Sequence, residues 1–252
     1  QCGAKSDADS DLAEAWNTRT GSGDIVIAVI DDGVQTSHPD LNIFTNPGEI
    51  AGNSLDDDGN GWFDDVNGWN FVATGAGNNN ANPSHANDNH GTAVAGVSGA
   101  RGNNSLGVSG SAQNVRILPV KVATNGVFQS FDRIAEAVYY AAGRTANGLG
   151  TWDSADILNC SFGAFGTTTN TALNTAFTWA STSGRSGQGA TTFAAAGNSA
   201  SGRQGSGTTQ YVPIPADSSL LTGAQTIFQV HGNSTWSWVV SYEKDAAGVA
   251  GE

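Results

Sequence analysis

Four short apolar runs, none of them alternating with polar residues, constrain the fold of this chain more than any other feature. They are DIVIAVID (24–31), VRILPVKV (115–122), ADILNCSF (155–162) and ATTFAAAG (190–197). A strand with one wet face alternates, whereas an unbroken apolar run fits a strand covered on both faces, as in a parallel sheet flanked by helices. Helical patterns lie between the runs. Phe131, Ile134, Val138 and Ala141 form one stripe, with Ser130 placed to cap its start and Gly143 just past its end. Leu173, Ala176, Phe177 and Ala180 form another, and Leu12, Ala13 and Trp16 predict a short helix over 9–16 that packs on the body. The small residues of GTAVAGVSGA (91–100) predict a helix lying close to the sheet. Strand, helix, strand, helix gives βαβ units, hence an α/β fold with a mainly parallel central sheet. With 252 residues, no internal repeat and no linker, residues 1–252 read as a single domain. The polar stretches 53–65 and 75–89 read as surface loops. Beyond Gly197 the pattern weakens, with TIFQV (226–230) and WSWVVSY (236–242) as candidate strands.

Charge narrows the function. Ten Lys and Arg against 23 Asp and Glu leave a formal charge of −13, and the scattered cations offer no patch for nucleic acid. The apolar run Ile25 to Ile30 is too short to cross a bilayer, and no basic leader precedes a hydrophobic segment, so no membrane partner is expected. A start at Gln1 reads as a mature or trimmed form, and abundant Gly, Asn, Ser and Thr with few Lys suits a secreted bacterial protein. Cys2 and Cys160 cannot staple a fold of this size, and whether they pair is open. Neither sits in a zinc-ligand cluster, and Cys160 reads as a core residue.

In open α/β sheets, functional groups gather at the carboxyl ends of the strands. Asp31 and Asp32 close the first run, Asn159 and Ser161 lie near the end of the third, and Asn198 follows the fourth. His90 opens the helical run 91–100. An Asp and a His converging beside an amide donor point to acyl transfer: the carboxylate fixes the imidazole tautomer, the imidazole takes a hydroxyl proton, and the amide stabilises an oxyanion. Taken singly, each has a plainer role: a strand-terminal Asp caps a turn, an Asn after Gly makes one, and His38, His85 and His231 read as ordinary hydrogen-bonding groups.

The ordered blocks VIAVIDDGVQTSHPDL, NHGTAVAGVSGARGNNSLGVSG, RILPVKV, ILNCSFG and FAAAGN resemble the successive motifs of subtilisin-like serine peptidases, over about residues 1 to 198. The resemblance implies a three-layer subtilisin-like fold, incomplete at its C-terminus, and a serine endopeptidase hydrolysing peptide bonds. It makes Asp31 the orienter, His90 the general base and Asn198 the oxyanion donor, with Ala93 where the family often has His. The family's Gly-Thr-Ser-x-x-x-Pro nucleophile segment is not found after Asn198. GTTQYVP (207–213), with Thr209 at the nucleophile place, comes too soon, and Ser234 and Ser241 lack supporting context. Three explanations stay open: the nucleophile lies outside this chain, the chain is a non-catalytic peptide-binding or scaffold module, or another Ser or Thr of the tail acts.

The resemblance also implies an extended peptide, from a protein or peptide substrate, held between two backbone segments. Asn125, Gly126 and Val127 of TNGVF and Ser161, Phe162 and Gly163 of SFGAFG would supply them, with Phe128 and Phe165 shaping apolar pockets. A complementary C-terminal fragment or a pro-region would be a partner. Calcium is the expected cofactor. DDDGNGWFDD (56–65) offers Asp56, Asp58, Asn60, Asp64 and Asp65 around Gly61, although it lacks the bidentate Glu and flanking helices of an EF-hand; a solvated acidic loop is the alternative. GNNSLGV (102–108) resembles the family's calcium loop, with Asn104 through its side chain, Leu106 and Val108 through carbonyls, and Asp40 through its carboxylate.

Overall fold

The apolar runs become strands β1 (Val26–Asp31), β3 (Arg116–Lys121), β6 (Ile157–Cys160) and β7 (Thr191–Ala194) in the computed structural model, which describes residues 11–162 and 170–195 and the backbone of 226–231 and 237–242. With β2 (Trp69–Asn70) they form a five-stranded sheet in the order β2-β3-β1-β6-β7, every pair parallel. β1 is central and buried along its whole length.

The two-residue period of a strand divides its side chains between two cores. Val26, Ala28, Ile30, Leu118, Val120 and Leu158 face one layer, built from α3 (Phe131–Ala141) and α4 (Thr171–Gly187). Ile27, Val29 and Ile117 face the other, where Ala95 of α2 (His90–Gly99) packs. This is the three-layer α/β arrangement expected.

Helix ends follow local chemistry. Ser130 Oγ accepts from Arg133 N at 3.3 Å at the start of α3, and Gly143 follows its end with φ 87°. Phe131, the first residue of the helix, leaves the predicted stripe and is 37% exposed. Asn170 Oδ1 caps α4 through Leu173 N at 2.9 Å, and this helix outruns its predicted end at Ala180. Its last turn is distorted at Gly184, Arg185 and Ser186, where Arg185 pairs with Asp156 at 2.6 Å. α1 (Leu12–Trp16) is shorter than predicted and buries no residue; Trp16 Nε1 ties it to Ser111 O at 2.9 Å.

The stretch 53–65 is not the simple surface loop predicted. Trp62 is buried and meets Trp69, Phe71 and Tyr140 edge-on, each at 5.4 Å between ring centroids. The indole satisfies the hydrophobic core, and the polar residues on either side follow it inward: Asn60, Asp64 and Asp65 are all buried. Cys160 carries a free thiol in the core, and burial pushes its pKa up. The two late candidate strands form an antiparallel pair, β8 (Thr226–His231) and β9 (Ser237–Tyr242). Among the described residues no helix is long and apolar enough to cross a membrane.

Candidate active site

Asp31 ends β1 at the carboxyl edge of the sheet, and α2 brings His90 onto it. Nδ1 of His90 lies 2.9 Å from Asp31 Oδ1 and 3.0 Å from Oδ2. A ring nitrogen facing a carboxylate carries the proton, so Nε2 is left as the acceptor. The Asp31 side chain is 3% exposed and that of His90 58%, so the carboxylate is dry while the imidazole faces outward. Burial pushes the pKa of Asp31 up, and the hydrogen bonds from His90 and Asp32 N, the latter at 2.8 Å, pull it back only partly. Among the described residues, Asp31 is the imidazole's only hydrogen-bond partner.

Two neighbours hold His90 in place. Asp32 accepts from His90 N at 3.2 Å and from Gly91 N at 2.7 Å, occupying two orphan donors at the start of α2 with a negative charge where the helix dipole favours one. Asn89, the residue before the helix, makes no side-chain cap. Gly91 is required by approach: a Cβ there would sit 2.4 Å from Gly33 O and 2.9 Å from Asp31 Cβ. Asp32's capping contact joins residues 58 apart, and its only sequence signal is the doubled Asp at a strand end.

Buried beneath this pair is an ion pair that the apolar reading of VRILPVKV passed over. Lys121 stands opposite Asp31 in the β1–β3 register, and its Nζ donates to Asp32 O and, at 2.9 Å, to Asp88 Oδ2. Both side chains are 0% exposed. Burial acts to raise the pKa of Asp88, but the bonds from Lys121, Asn125 N, Ser84 N and Thr124 overcome it and hold the carboxyl well below the usual range. A lysine inside an otherwise apolar strand was the available sign.

The predicted peptide-binding segments come together in part. Asn125 and Gly126, at φ 48° and 74°, turn the antiparallel hairpin of β4 (Ala123–Thr124) and β5 (Val127–Phe128). Positive φ at both turn residues is the Asn-Gly hairpin geometry, so this segment is a tight turn with an exposed Val127. Phe128 packs against Phe162 with the rings tilted by 45° and their centroids 5.5 Å apart, joining the two segments across the strand ends. Ser161 Oγ accepts from Asn159 Nδ2 at 2.8 Å. Gly163, Phe165, Asn198, Thr209 and Ser234 lie outside the described residues, and Ser241 falls in β9.

The acidic residues regroup around a member the sequence reading missed. Glu49, Asp58 and Asp65 each offer an oxygen within 4.8 Å of the others. Asn46 Nδ2 bridges Asp58 and Asp65, at 3.0 Å from each, and Asn60 Nδ2 lies 3.1 Å from Asp58. Asp56 and Asp64 instead accept from Gly61 N and Gly52 N. Burial, with the charge of Asp58 adding to it, pushes the pKa of Asp65 up to about 7. Glu49 Oε2 is buried without a partner. Glu49 lies seven residues before the acidic run, which is why spacing did not include it. At the second predicted site, Asp40 accepts from Asn104 Nδ2 at 2.7 Å and Val108 N at 3.0 Å, and Leu106 N donates to Asn104 Oδ1 at 3.1 Å. The four residues are together, with donors turned toward the carboxylate.

The subtilase family model matches residues 22–245. An extracellular protease of Xanthomonas campestris pv. campestris is 35% identical over 194 residues, which is 74% of this chain and 31% of that protein. Thermitase of Thermoactinomyces vulgaris is 32% identical over 185 residues, 73% of this chain and 51% of its own. This chain therefore spans about half or less of the length of these relatives. Among solved structures, sphericase superposes with a TM-score of 0.52 at 28% identity, covering 77% of this chain and 54% of that one. A protease of Pseudoalteromonas arctica gives 0.53 at 26% identity, covering 75% and 53%. With an Asp-His pair at the carboxyl edge of a parallel sheet and a family match running through most of its length, the chain belongs to the subtilase family.

Proposed function

We propose that this chain carries the base and its orienter for a serine endopeptidase of subtilisin type. The observation that carries the reading is the Asp31–His90 pair, dry on the carboxylate side and open at the imidazole. Nε2 takes the proton of a hydroxyl nucleophile as that oxygen attacks a peptide carbonyl, and Asp31 stabilises the imidazolium formed. The imidazolium then returns the proton to the departing amine, and water repeats the sequence on the acyl-enzyme. Asn198 is assigned to the oxyanion on the resemblance of its motif. Peptide and protein segments are the substrates, laid in extended form along the hairpin 123–128 and the segment from Ser161. Secretion is supported by the extracellular relative.

A further segment, a pro-region or a complementary C-terminal piece, is a partner suggested by the resemblance of the motifs.

Calcium fits the Glu49–Asp58–Asp65 cluster: three carboxylates this close repel one another until a cation neutralises them, and the oxygens are the hard donors calcium takes. An ion would require the Asn46 and Asn60 amides at the cluster, and the Asn104 amide at Asp40, to turn their oxygens inward. Calcium in 100-fold excess over its Kd is expected to add about 2.7 kcal/mol, several degrees of thermal midpoint for a chain this size. Glu49→Gln and Asp65→Asn should remove most of that gain in a chelator titration followed by calorimetry. A midpoint indifferent to calcium would refute the site.

The peptidase reading is tested by intact-mass spectrometry after treatment with a fluorophosphonate serine probe. One adduct, on this chain or on a co-purifying piece, is expected. A folded, calcium-loaded sample with no adduct anywhere would sink the serine mechanism and leave the peptide-binding module.

A further inference from the structure

We propose that Asp88 and Lys121 form a positioning unit that fastens the peptide-docking hairpin 123–128 to the strand end carrying Asp31, and so governs how tightly an extended substrate is held. The proposal rests on the peptidase reading above and names which of the chain's own residues set its substrate affinity.

The unit has two arms. On one side, Lys121 Nζ donates to Asp32 O, immediately after the orienter, and to Asp88 Oδ2 at 2.9 Å. On the other, Asp88 Oδ1 accepts from Asn125 N at 2.6 Å and its Oδ2 accepts from Thr124 Oγ1 at 2.9 Å. Asn87 Nδ2 adds a third tie, to Asn125 Oδ1 at 2.8 Å. Asp88 also accepts from Ser84 N at 3.1 Å and His85 N at 3.0 Å, which pins the loop leading into His90. One carboxylate therefore grips the turn at Asn125, the loop before the base and the strand beside the orienter.

Burial makes the grip stiff. Moving Asp88 away would leave Lys121 charged and unpaired where no water reaches it, a far larger penalty than a surface ion pair could impose. A peptide that adds as a strand pays for ordering whatever edge it docks on, and an edge already held loses less on binding. Asp88 is two residues from His90 and its hydrogen bonds run to the loop, the hairpin and Lys121, not to the imidazole, so it acts through Asn125 and is a positioning residue.

The test compares a six-residue peptide, long enough to lie along the hairpin, with a single-residue ester that stays at the scissile bond, in the full-length, calcium-loaded protease. In Asp88→Asn the ratio of hexapeptide to ester kcat/KM is expected to fall by about tenfold or more, carried by KM and not by kcat. Asn87→Ala, which keeps the ion pair, should lower the ratio by about threefold. A parallel loss on both substrates, or no change on either, overturns the proposal. Should Asp88→Asn fail to fold, Asn87→Ala carries the same test. If the unaltered protein cleaves neither substrate, the peptidase reading fails by itself. The unit is then judged by hydrogen exchange: faster exchange at the Asn125 amide in Asn87→Ala, with β1 unchanged, supports it, and unchanged protection refutes it.

Discussion

On the proposed peptidase reading, replacing His90 by alanine is expected to lower kcat by about 10^4-fold or more, and Asp31→Asn should come close to it. The two losses have different causes. Alanine removes the group that the reading assigns to take the nucleophile's proton. Asparagine keeps the shape but offers Nδ1 an N–H in place of an acceptor, so the imidazole proton moves to Nε2 and the base faces the nucleophile already protonated. His90 is more than half exposed, but His90→Ala strips the buried Asp31 carboxylate of its side-chain hydrogen bond, so a loss of about 1–3 kcal/mol is expected. Steady-state kinetics on a peptide substrate, run beside thermal melts, separates lost chemistry from lost fold. Activity within tenfold of the parent for His90→Ala would remove the base from this site.

Lys121→Met is expected to be the most destabilising single change at the site, costing about 3–5 kcal/mol, the range for removing one partner of a buried ion pair. For a chain of this size the thermal midpoint should fall by about 10 °C. The methionine fills much of the lysine's volume, so the loss is electrostatic: the Asp88 carboxylate stays buried with a cation missing. The double variant Lys121→Met with Asp88→Asn, which carries no buried charge, should regain part of the loss. Acid provides a second reading. The folded pKa of Asp88 lies below its ordinary value of 3.8, so the unfolded chain binds more protons between the two. The stability this group supplies is therefore full above about pH 4 and drains away below it. Lys121→Met should flatten that acid limb. A midpoint within two degrees of the parent would mean that the pair contributes nothing net.

What the residues disclosed in advance followed from locality. Apolar runs without alternation announced buried parallel strands, Ser130 and Gly143 marked both ends of α3, and Asp31 and His90 were found through motifs whose order is visible along the chain. β2 was missed because two residues, Trp69 and Asn70, make no run to detect. Trp62 shows why a polar stretch can still be core: one indole outweighs the hydrophilic neighbours whose composition argued for a surface loop. Asp32, Glu49 and Asp88 were missed as site-building residues for a common reason. Each carboxylate meets donors or carboxylates from other segments, and a through-space contact leaves no spacing to read. Lys121 was legible in principle, since a lysine in a fully buried strand needs a partner.

The strand order has a temporal consequence. β1 lies between β3 and β6, so the centre of the sheet is finished only after the chain returns from far downstream; the bond from Val26 N to Asp156 Oδ2 joins residues 130 apart. Closing loops of that length precedes any reward from the contacts they allow, which slows folding. Interactions formed after the rate-limiting step slow unfolding instead. Asp31 is made by the first strand but acquires its histidine, its lysine and its flanking strands later, so the nascent chain carries an orienter with nothing yet to orient. On the proposed peptidase reading, the site is thus assembled only after much of the chain's own backbone has been placed.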